Sequence, residues 1–310
     1  MKQFVIYLFA SWFLSSFVAF SQEVTIPIET ANVSMVLQTD RLNNLRIVHT
    51  GKSLKSQAEY NKIFAGYNYN SEGASLNNAA FTVAGIVNFM EPAIAVVHAD
   101  NNNSVDLKYV KHSTSSLDDG ATLTKIELKD PVYPFYVNLF YKAWEKEDVI
   151  EQWSEIRHAE KGSVILNKFA SANLYFYNKD YYLTSYNGAW AKEMMPVLTH
   201  LQQGIHSIES RMGTRENLHV SPNFMLSLDG ISTENTGSVM IGQLAWNGNF
   251  SIQFETDVYR NMHIVAGINP YQSAIELKPN TTFETPRFIY TLSFEGKGKA
   301  SRNLHDWMRN

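Results

Sequence analysis

Apolar and polar side chains alternate with period two through the middle of this 310-residue chain, which restricts it to half-buried antiparallel strands. Ile252, Phe254, Thr256 and Val258 take one face, while Ser251, Gln253, Glu255 and Asp257 take the other. Val105, Leu107 and Tyr109 alternate with Asp106 and Lys108, and Phe288, Tyr290, Leu292 and Phe294 alternate with Ile289, Thr291 and Ser293. Turn residues separate these runs at short intervals: Asp118-Asp119-Gly120, Asp229-Gly230, Asn247-Gly248 and Lys278-Pro279-Asn280. Asn247-Gly248 predicts a two-residue hairpin, because a type I′ turn needs positive φ at both central positions. The spacing predicts an all-β fold, a large antiparallel β-sandwich. Val149 to Arg157 fits a short helix with Val149, Trp153 and Ile156 on one side, and Trp144 to Trp153 equally fits a strand, loop, strand passage. Tyr67 to Asn78, rich in Asn, Ser and Gly, reads as a long loop.

The length allows two domains of about 150 residues, although all-β units often exceed 200 as one. With 26 basic against 30 acidic residues the net charge is −4, without the basic excess of a nucleic-acid binder. A 45% hydrophobic content excludes wholesale disorder. The absence of cysteine removes disulfides, zinc-thiolate sites and thiol nucleophiles from consideration. The 18 Phe, 16 Tyr and 6 Trp against 18% charged residues suit both sheet cores and sugar-facing surfaces, and do not choose between them.

Residues 1–21 read as an export signal. Lys2 precedes an apolar run from Phe4 to Phe20, and Ala19 and Ser21 are small residues before a cut at Gln22. The rival is a membrane anchor, since the run approaches the roughly 17-residue lower limit for a spanning helix. Ser11, Ser15, Ser16 and the small-residue pattern favour cleavage, giving an exported chain with no membrane contact afterwards. At the other end Ala300, Leu304, Trp307 and Met308 have helical spacing with Ser301 as the expected N-cap, and no further element is in view for this stripe to pack on.

Several nominal motifs fail. Gly51-Lys52-Ser53 resembles the end of a phosphate loop, but Arg46 stands where that pattern needs glycine. Gly296-x-Gly298-x-x-Ser301 lacks the third glycine of a dinucleotide fingerprint and reads as a flexible connector. His98 and Asp100 share a face, but two ligands make a poor metal site, so neither metal nor cofactor is expected. The densest polar cluster is Glu209, Arg211, Gly213, Arg215, Glu216 and His219, followed by Ser221-Pro222-Asn223-Phe224. Glu209 and Arg211 on one strand face would form an ion pair, either as a structural bridge or as a polar wall toward a ligand or neighbouring domain. Trp190 and Trp246 lie beside turn residues, where an indole packs in the core or stacks on a sugar. No carboxylate pair at glycosidase spacing can be nominated.

Taken in order, a set of phrases is similar to a known family. They are Phe81-Thr-Val-Ala-Gly85, Glu91-Pro-Ala-Ile94, Val97-His-Ala-Asp100, Tyr182-Leu-Thr, Gly188-Ala-Trp190-Ala-Lys-Glu193 and Glu209-Ser-Arg-Met-Gly213. Then follow Pro222-Asn-Phe224, Leu244-Ala-Trp-Asn-Gly-Asn249, Gly267-Ile-Asn-Pro270, Phe283-Glu-Thr-Pro286 and Ser301-Arg-Asn-Leu-His305. The set resembles the N-terminal β-supersandwich domain of glycoside hydrolase family 36 α-galactosidases, a galactose-mutarotase-like fold. The resemblance implies a retaining exo-glycosidase acting on terminal α-galactose, with both catalytic aspartates on a following (β/α)8 barrel. No catalytic residue carries over to this chain. The resemblance divides it into a signal at 1–21, the supersandwich at 22–298 and the start of a passage into the barrel at 299–310.

In the resembled family the Glu-Ser-Arg phrase continues with a serine-rich run before histidine; here Thr214-Arg-Glu-Asn217 precedes His219. Asn88 stands where some members carry an aspartate that reaches a galactose site, and asparagine can still bond a sugar hydroxyl. The expected contacts to substrate or to a neighbouring domain are therefore Asn88, Trp190, Glu209, Arg211, His219, Trp246 and Asn249. The expected partners are an α-galactoside, the barrel domain and a second copy of the chain. Two further classes stay open: a stand-alone carbohydrate-binding module, and an oligomerisation domain with an apolar patch around Trp307 and Met308.

Overall fold

The computed structural model describes residues 23–54, 57–60, 78–85, 90–213 and 219–309. Asn88 and residues 67–77 of the expected loop lie outside the described residues, as does the export segment. Asn78, which closes that loop, is buried and donates through Nδ2 to the Ile47 carbonyl and the Tyr177 hydroxyl.

The chain opens on a three-stranded sheet, β1 (Thr25–Glu29), β2 (Val33–Thr39) and β3 (Leu45–Lys52), followed by a single helical turn, α1 (Gln57–Tyr60). After β4 (Ile94–Val97) come β5 (Lys108–Ser116), β6 (Thr122–Lys129), β7 (Phe135–Trp144), β8 (Val149–His158) and β9 (Val164–Phe176). The middle third holds β10 (Tyr181–Asn187), β11 (Met195–His200), β12 (Gly204–Glu209), β13 (Val220–Leu228) and β14 (Ser238–Leu244). The last elements are β15 (Phe250–Thr256), β16 (Met262–Ile268), β17 (Ile275–Leu277), β18 (Thr282–Glu284), β19 (Phe288–Ser293) and the helix α2 (Gly296–Arg309).

Two large antiparallel sheets face each other. The ten-stranded sheet runs β11-β10-β13-β14-β19-β8-β7-β6-β5, with β18 added on β8, and the six-stranded sheet runs β12-β15-β16-β9-β17, with β4 added on β9. Their inner faces meet through aromatic contacts: Phe224 of β13 lies edge-on to Phe254 of β15, and Phe169 of β9 to Phe283 of β18, each with centroids 4.9 Å apart. Such pairs add about 0.5–1.5 kcal/mol beyond the area they bury. The Ser154 hydroxyl of β8 donates across the gap to the Ala170 carbonyl of β9 at 2.9 Å. One continuous core takes in large aromatic side chains from both sheets, among them Phe135, Tyr141, Phe176, Phe250 and Tyr290, and the supersandwich expectation holds.

Val149 to Arg157 is strand, not helix: it pairs with β7 over its whole length, from Phe135↔His158 to Trp144↔Val149. The strand, loop, strand alternative over Trp144 to Trp153 is the one observed. Alternation was hidden because both faces of β8 are covered. Outside, Trp153 stacks on Phe140 at 4.9 Å and 4°, with Arg287 over the indole and Lys125 over the phenyl ring. A second stack sets Lys129 and Arg157 on Tyr136. Cations on ring faces let a sheet carry large aromatic side chains outward while their rings stay away from water.

Asn247-Gly248 does not make a hairpin. Leu244 ends a strand of the ten-stranded sheet and Phe250 begins one in the six-stranded sheet, so these residues carry the chain between layers. Gly248 instead lies under the Trp246 indole, where an added Cβ would come within 2.7 Å of Nε1.

Helix α2 starts at Gly296, five residues before the expected Ser301 cap, and the glycine stretch is no loose connector. The amides of Gly296, Lys297 and Gly298 donate to the carbonyls of Gly237, Thr233 and Glu234 at 2.9 Å each. Free amides at a helix start need such acceptors. The stripe does find a surface: Ala300 is buried against Val239 and Ile241 on the outer face of the ten-stranded sheet, with Leu304 beside them. This helix explains why both faces of β19 are buried.

Each end of the ten-stranded sheet is guarded. At β5 the edge is polar, from Lys108 through Lys111 and His112 to Ser116. At β11 the amide of Leu201 donates inward to Tyr181, so by antiparallel alternation the backbone of residues 196, 198 and 200 points to the free side. Pro196 stands there, with no N–H to offer.

Candidate functional site

Register in the six-stranded sheet brings three distant phrases to one end. Glu209 pairs with Ser251, and Phe250 pairs with Ile268, so the end of β12, the start of β15 and the end of β16 are neighbours. Buried Asn269 joins them: its Nδ2 donates to Glu209 Oε2 at 3.1 Å, to the Ser210 carbonyl at 3.2 Å and to the Phe250 carbonyl at 3.3 Å. Its amide donates to the Asn249 carbonyl at 3.0 Å, and its Oδ1 accepts from the Tyr271 amide at 2.9 Å. Asn249 Oδ1 in turn accepts from the Gly213 amide at 2.7 Å.

Above this frame Arg211 donates through Nη2 to Glu209 Oε1 at 3.0 Å and lays its guanidinium over the Tyr271 ring, 4.2 Å from the centroid. The expected Glu209–Arg211 pair is therefore present, at a half-exposed rim. Trp246, three residues before Asn249 in the chain, packs its indole on Gly248 and leaves 38% of its surface open. Glu209, Arg211 and Asn249 thus gather in one cluster. Asn269 and Tyr271 belong to it and were not singled out, although Asn269 lies inside the Gly267 to Pro270 phrase.

The other expected residues lie elsewhere. Trp190 sits between β10 and β11 with 86% of its surface exposed. The carbonyl of exposed His219 accepts from the Gly188 amide at 2.9 Å, which brings the His219 backbone to the loop that carries Trp190. Arg215 and Glu216 fall outside the described residues.

His98, near Asp100, is no metal ligand: its Nδ1 meets Glu160 Oε1 at 2.7 Å and its ring stacks on Tyr133 at 3.7 Å. Among the described residues no group of three or more His, Asp or Glu side chains can hold a metal ion. The buried carboxylates are all engaged in the frame. Asp130 caps the amides of Asp106, Val132 and Tyr133, Asp148 accepts from Thr30 and Asn32, and Glu160 accepts from the Ala99 amide. Glu255 accepts from the Glu91 amide, and Asp257 from those of Tyr259 and Asn261. The cluster at the sheet end offers a guanidinium laid on a tyrosine ring, a carboxylate and amides.

Fold and site together define a large antiparallel β-supersandwich with a polar, aromatic-rimmed sheet end. The glycosyl hydrolase family 36 N-terminal domain matches residues 43–278, and the chain belongs to that family. It is 28% identical over 239 residues to an alpha-galactosidase of Lactobacillus acidophilus, covering 73% of this chain and 32% of the relative. An alpha-galactosidase of Pediococcus pentosaceus is 27% identical over 240 residues, with 73% and 33% covered. The chain therefore spans about a third of the length of the curated relatives it matches. The alpha-galactosidase structure from Lactobacillus brevis superposes with a TM-score of 0.85 at 22% identity, over 92% of this chain and 41% of that one. One from Geobacillus stearothermophilus gives 0.84 at 23%, over 92% and 43%. At those identities the likeness shows the fold.

Proposed function

We propose that this chain is the N-terminal domain of an exported, retaining alpha-galactosidase and that the 310-residue chain does not itself hydrolyse galactosides. Membership in the family and partial coverage of alpha-galactosidases support the first half. A retaining site needs two carboxyl groups about 5–5.5 Å apart, one as nucleophile and one as acid/base. The observation that carries the second half is that Asp130, Asp148, Glu160, Glu255 and Asp257 are each held by structural donors. In this reading residues 1–21 direct export, and the reaction belongs to a (β/α)8 domain joined through α2. Related enzymes from Geobacillus stearothermophilus were solved with raffinose and with stachyose, which supports α-linked galactosides as the substrate class.

The test is an assay with p-nitrophenyl α-galactoside. The purified chain should give no turnover, and clear turnover would overturn the assignment. Fusion through α2 to the (β/α)8 domain of a family 36 α-galactosidase should give α-galactosidase activity; a soluble fusion without it would count equally against the reading.

A second reading is favoured by one observation, the half-exposed Arg211–Tyr271 stack, with half-open Trp246 three residues before Asn249 in the chain. Here the sheet end binds galactosides directly, and calorimetry should give a heat of binding that Trp246→Ala reduces. No heat with raffinose would remove this reading and leave the first intact.

A further inference from the structure

We infer that Asp148 couples the first strands of the chain to helix α2, so that the direction of the helix is set from the opposite end of the sequence. Asp148 occupies the turn between β7 and β8 in the left-handed region, with φ of 55°, and is 2% exposed. A non-glycine residue held there indicates a position fixed by its surroundings. Its Oδ1 accepts from the Thr30 hydroxyl at 2.9 Å and the Asn32 amide at 2.8 Å, and its Oδ2 accepts from Asn32 Nδ2 at 2.8 Å. These donors form the turn between β1 and β2. The same two turns are also joined by the Ala31 amide donating to the Glu145 carbonyl at 3.0 Å.

From Asp148 the bonding continues to the helix. Its backbone carbonyl accepts from the Thr291 hydroxyl of β19 at 2.7 Å, and that hydroxyl accepts from Asn303 Nδ2 of α2 at 2.9 Å. Asn303 is buried, and its Oδ1 accepts from Lys299, whose Nζ stands 3.9 Å from Asp148 Oδ2. One ring contact runs beside this path: Trp144, at the end of β7, lies edge-on to Trp307 of α2 with centroids 6.4 Å apart. A cavity of about 320 Å³ lies elsewhere, at β3, but one of about 250 Å³ sits at this junction, lined by Asn32, Lys52, Asp148, Glu295, Lys299 and Asn303. Across such a gap hydrogen bonds carry the connection, and breaking one partner of a buried set leaves the rest unsatisfied.

Besides its packing on Val239 and Ile241, the helix is pinned by hydrogen bonds at its start, Gly296 to Gly298, and at its middle, Asn303, a pair of anchors that constrain its direction. Anything attached through α2 takes its orientation from this pair. The inference concerns the chain's own coupling and holds whether or not the galactosidase reading stands.

The experiment is amide hydrogen exchange, read by mass spectrometry on the full chain. Thr30→Val with Asn32→Ala removes two donors to Asp148 and touches no residue of α2. It should raise exchange across 297–309 by about 5–10-fold while leaving β15 and β16 unchanged, as expected for a local opening. Asn303→Ala should raise it similarly, and the combined variant should show less than the product of the two effects. Unchanged protection of α2 in the Thr30/Asn32 variant would overturn the coupling, as would an equal rise in β15 and β16 or a full product in the combined variant. Asp148→Asn serves as a further check where it folds, since the first three variants suffice.

Discussion

His263 places Nε2 2.8 Å from Asn173 Oδ1 in the middle of the six-stranded sheet, with both side chains out of reach of solvent. Asn173 Nδ2 donates to the Ala79 carbonyl and its Oδ1 also accepts from the Thr82 hydroxyl, so the amide orientation is fixed and the imidazole must be the donor. Glu255 stands 3.4 Å from Nδ1. This small network fastens residues 79–82 to the sheet.

Burial pushes the His263 ring below its ordinary value of 6.5, partly offset by Glu255. The unfolded chain then binds a proton that the folded chain resists as pH falls below about 6.5. Stability contributed by neutral His263 is therefore complete above that pH and is lost as acidity grows toward its folded value. Urea midpoints at pH 7.5 and pH 5 should show the loss. His263→Gln should make it shallower, with the same-sign contribution of partly buried His206 and the opposite-sign one of Glu29, whose carboxyl burial raises, remaining. An identical slope in the variant would rule out His263 as the source.

Gly296 and Gly298 should respond unequally to alanine. At Gly296, φ is 85° and an added Cβ would meet backbone atoms of Thr236, Glu234 and Thr233 at 2.5–2.7 Å. At Gly298 the nearest obstacle is the carboxylate end of the Glu234 side chain, which can swing away. Gly296→Ala is expected to cost about 2–4 kcal/mol and Gly298→Ala about 1 or less, since only the first combines backbone strain with overpacking. Denaturant titration distinguishes them, and equal costs would contradict the geometry.

The rim pair should matter little for folding. Arg211 and Glu209 are both substantially exposed, and exposed ion pairs contribute about 0–1 kcal/mol. Arg211→Ala should cost no more than about 1 kcal/mol, and a double-mutant cycle with Tyr271→Ala should return about 0.5–1 kcal/mol for the stack. A loss of several kcal/mol would mark Arg211 as part of the frame rather than of the rim.

Among the described tryptophans, Trp190 should be the indole most open to quenchers. At 86% exposure it contrasts with buried Trp153 and with Trp144, whose Nε1 donates to Glu151. Trp190→Phe should remove the largest share of iodide-quenchable fluorescence and shift stability by less than about 0.5 kcal/mol. Unchanged quenching would place the indole under cover.

Strands were legible where the side chains alternate in polarity or size, even in β15 and β19, both of whose faces are largely buried. β15 was legible from Ile252 and Phe254. β8 was not, because Arg287 and Phe140 close over Trp153 from outside. Asn247-Gly248 misled because local turn chemistry does not say which sheet the next strand enters. Ser301 misled because Gly296 is capped by a loop sixty residues upstream, which no local pattern encodes. At the site, Glu209–Arg211 was readable from spacing, whereas Asn269 acts through three carbonyl and carboxyl oxygens that only register brings together. His263 did leave a mark: a lone histidine in the apolar run Met262 to Ile268 has to find a partner inside.

Pro196 has a consequence on the scale of many molecules. A sheet of ten strands is a template with two ends, and extension at either end requires an unbroken series of donors and acceptors. On the β11 side that series lacks a rung, so an incoming strand cannot register there without leaving a carbonyl unanswered. The apolar Met195, Val197 and Leu198 can therefore be displayed on this border without turning the domain into a seed for fibrils.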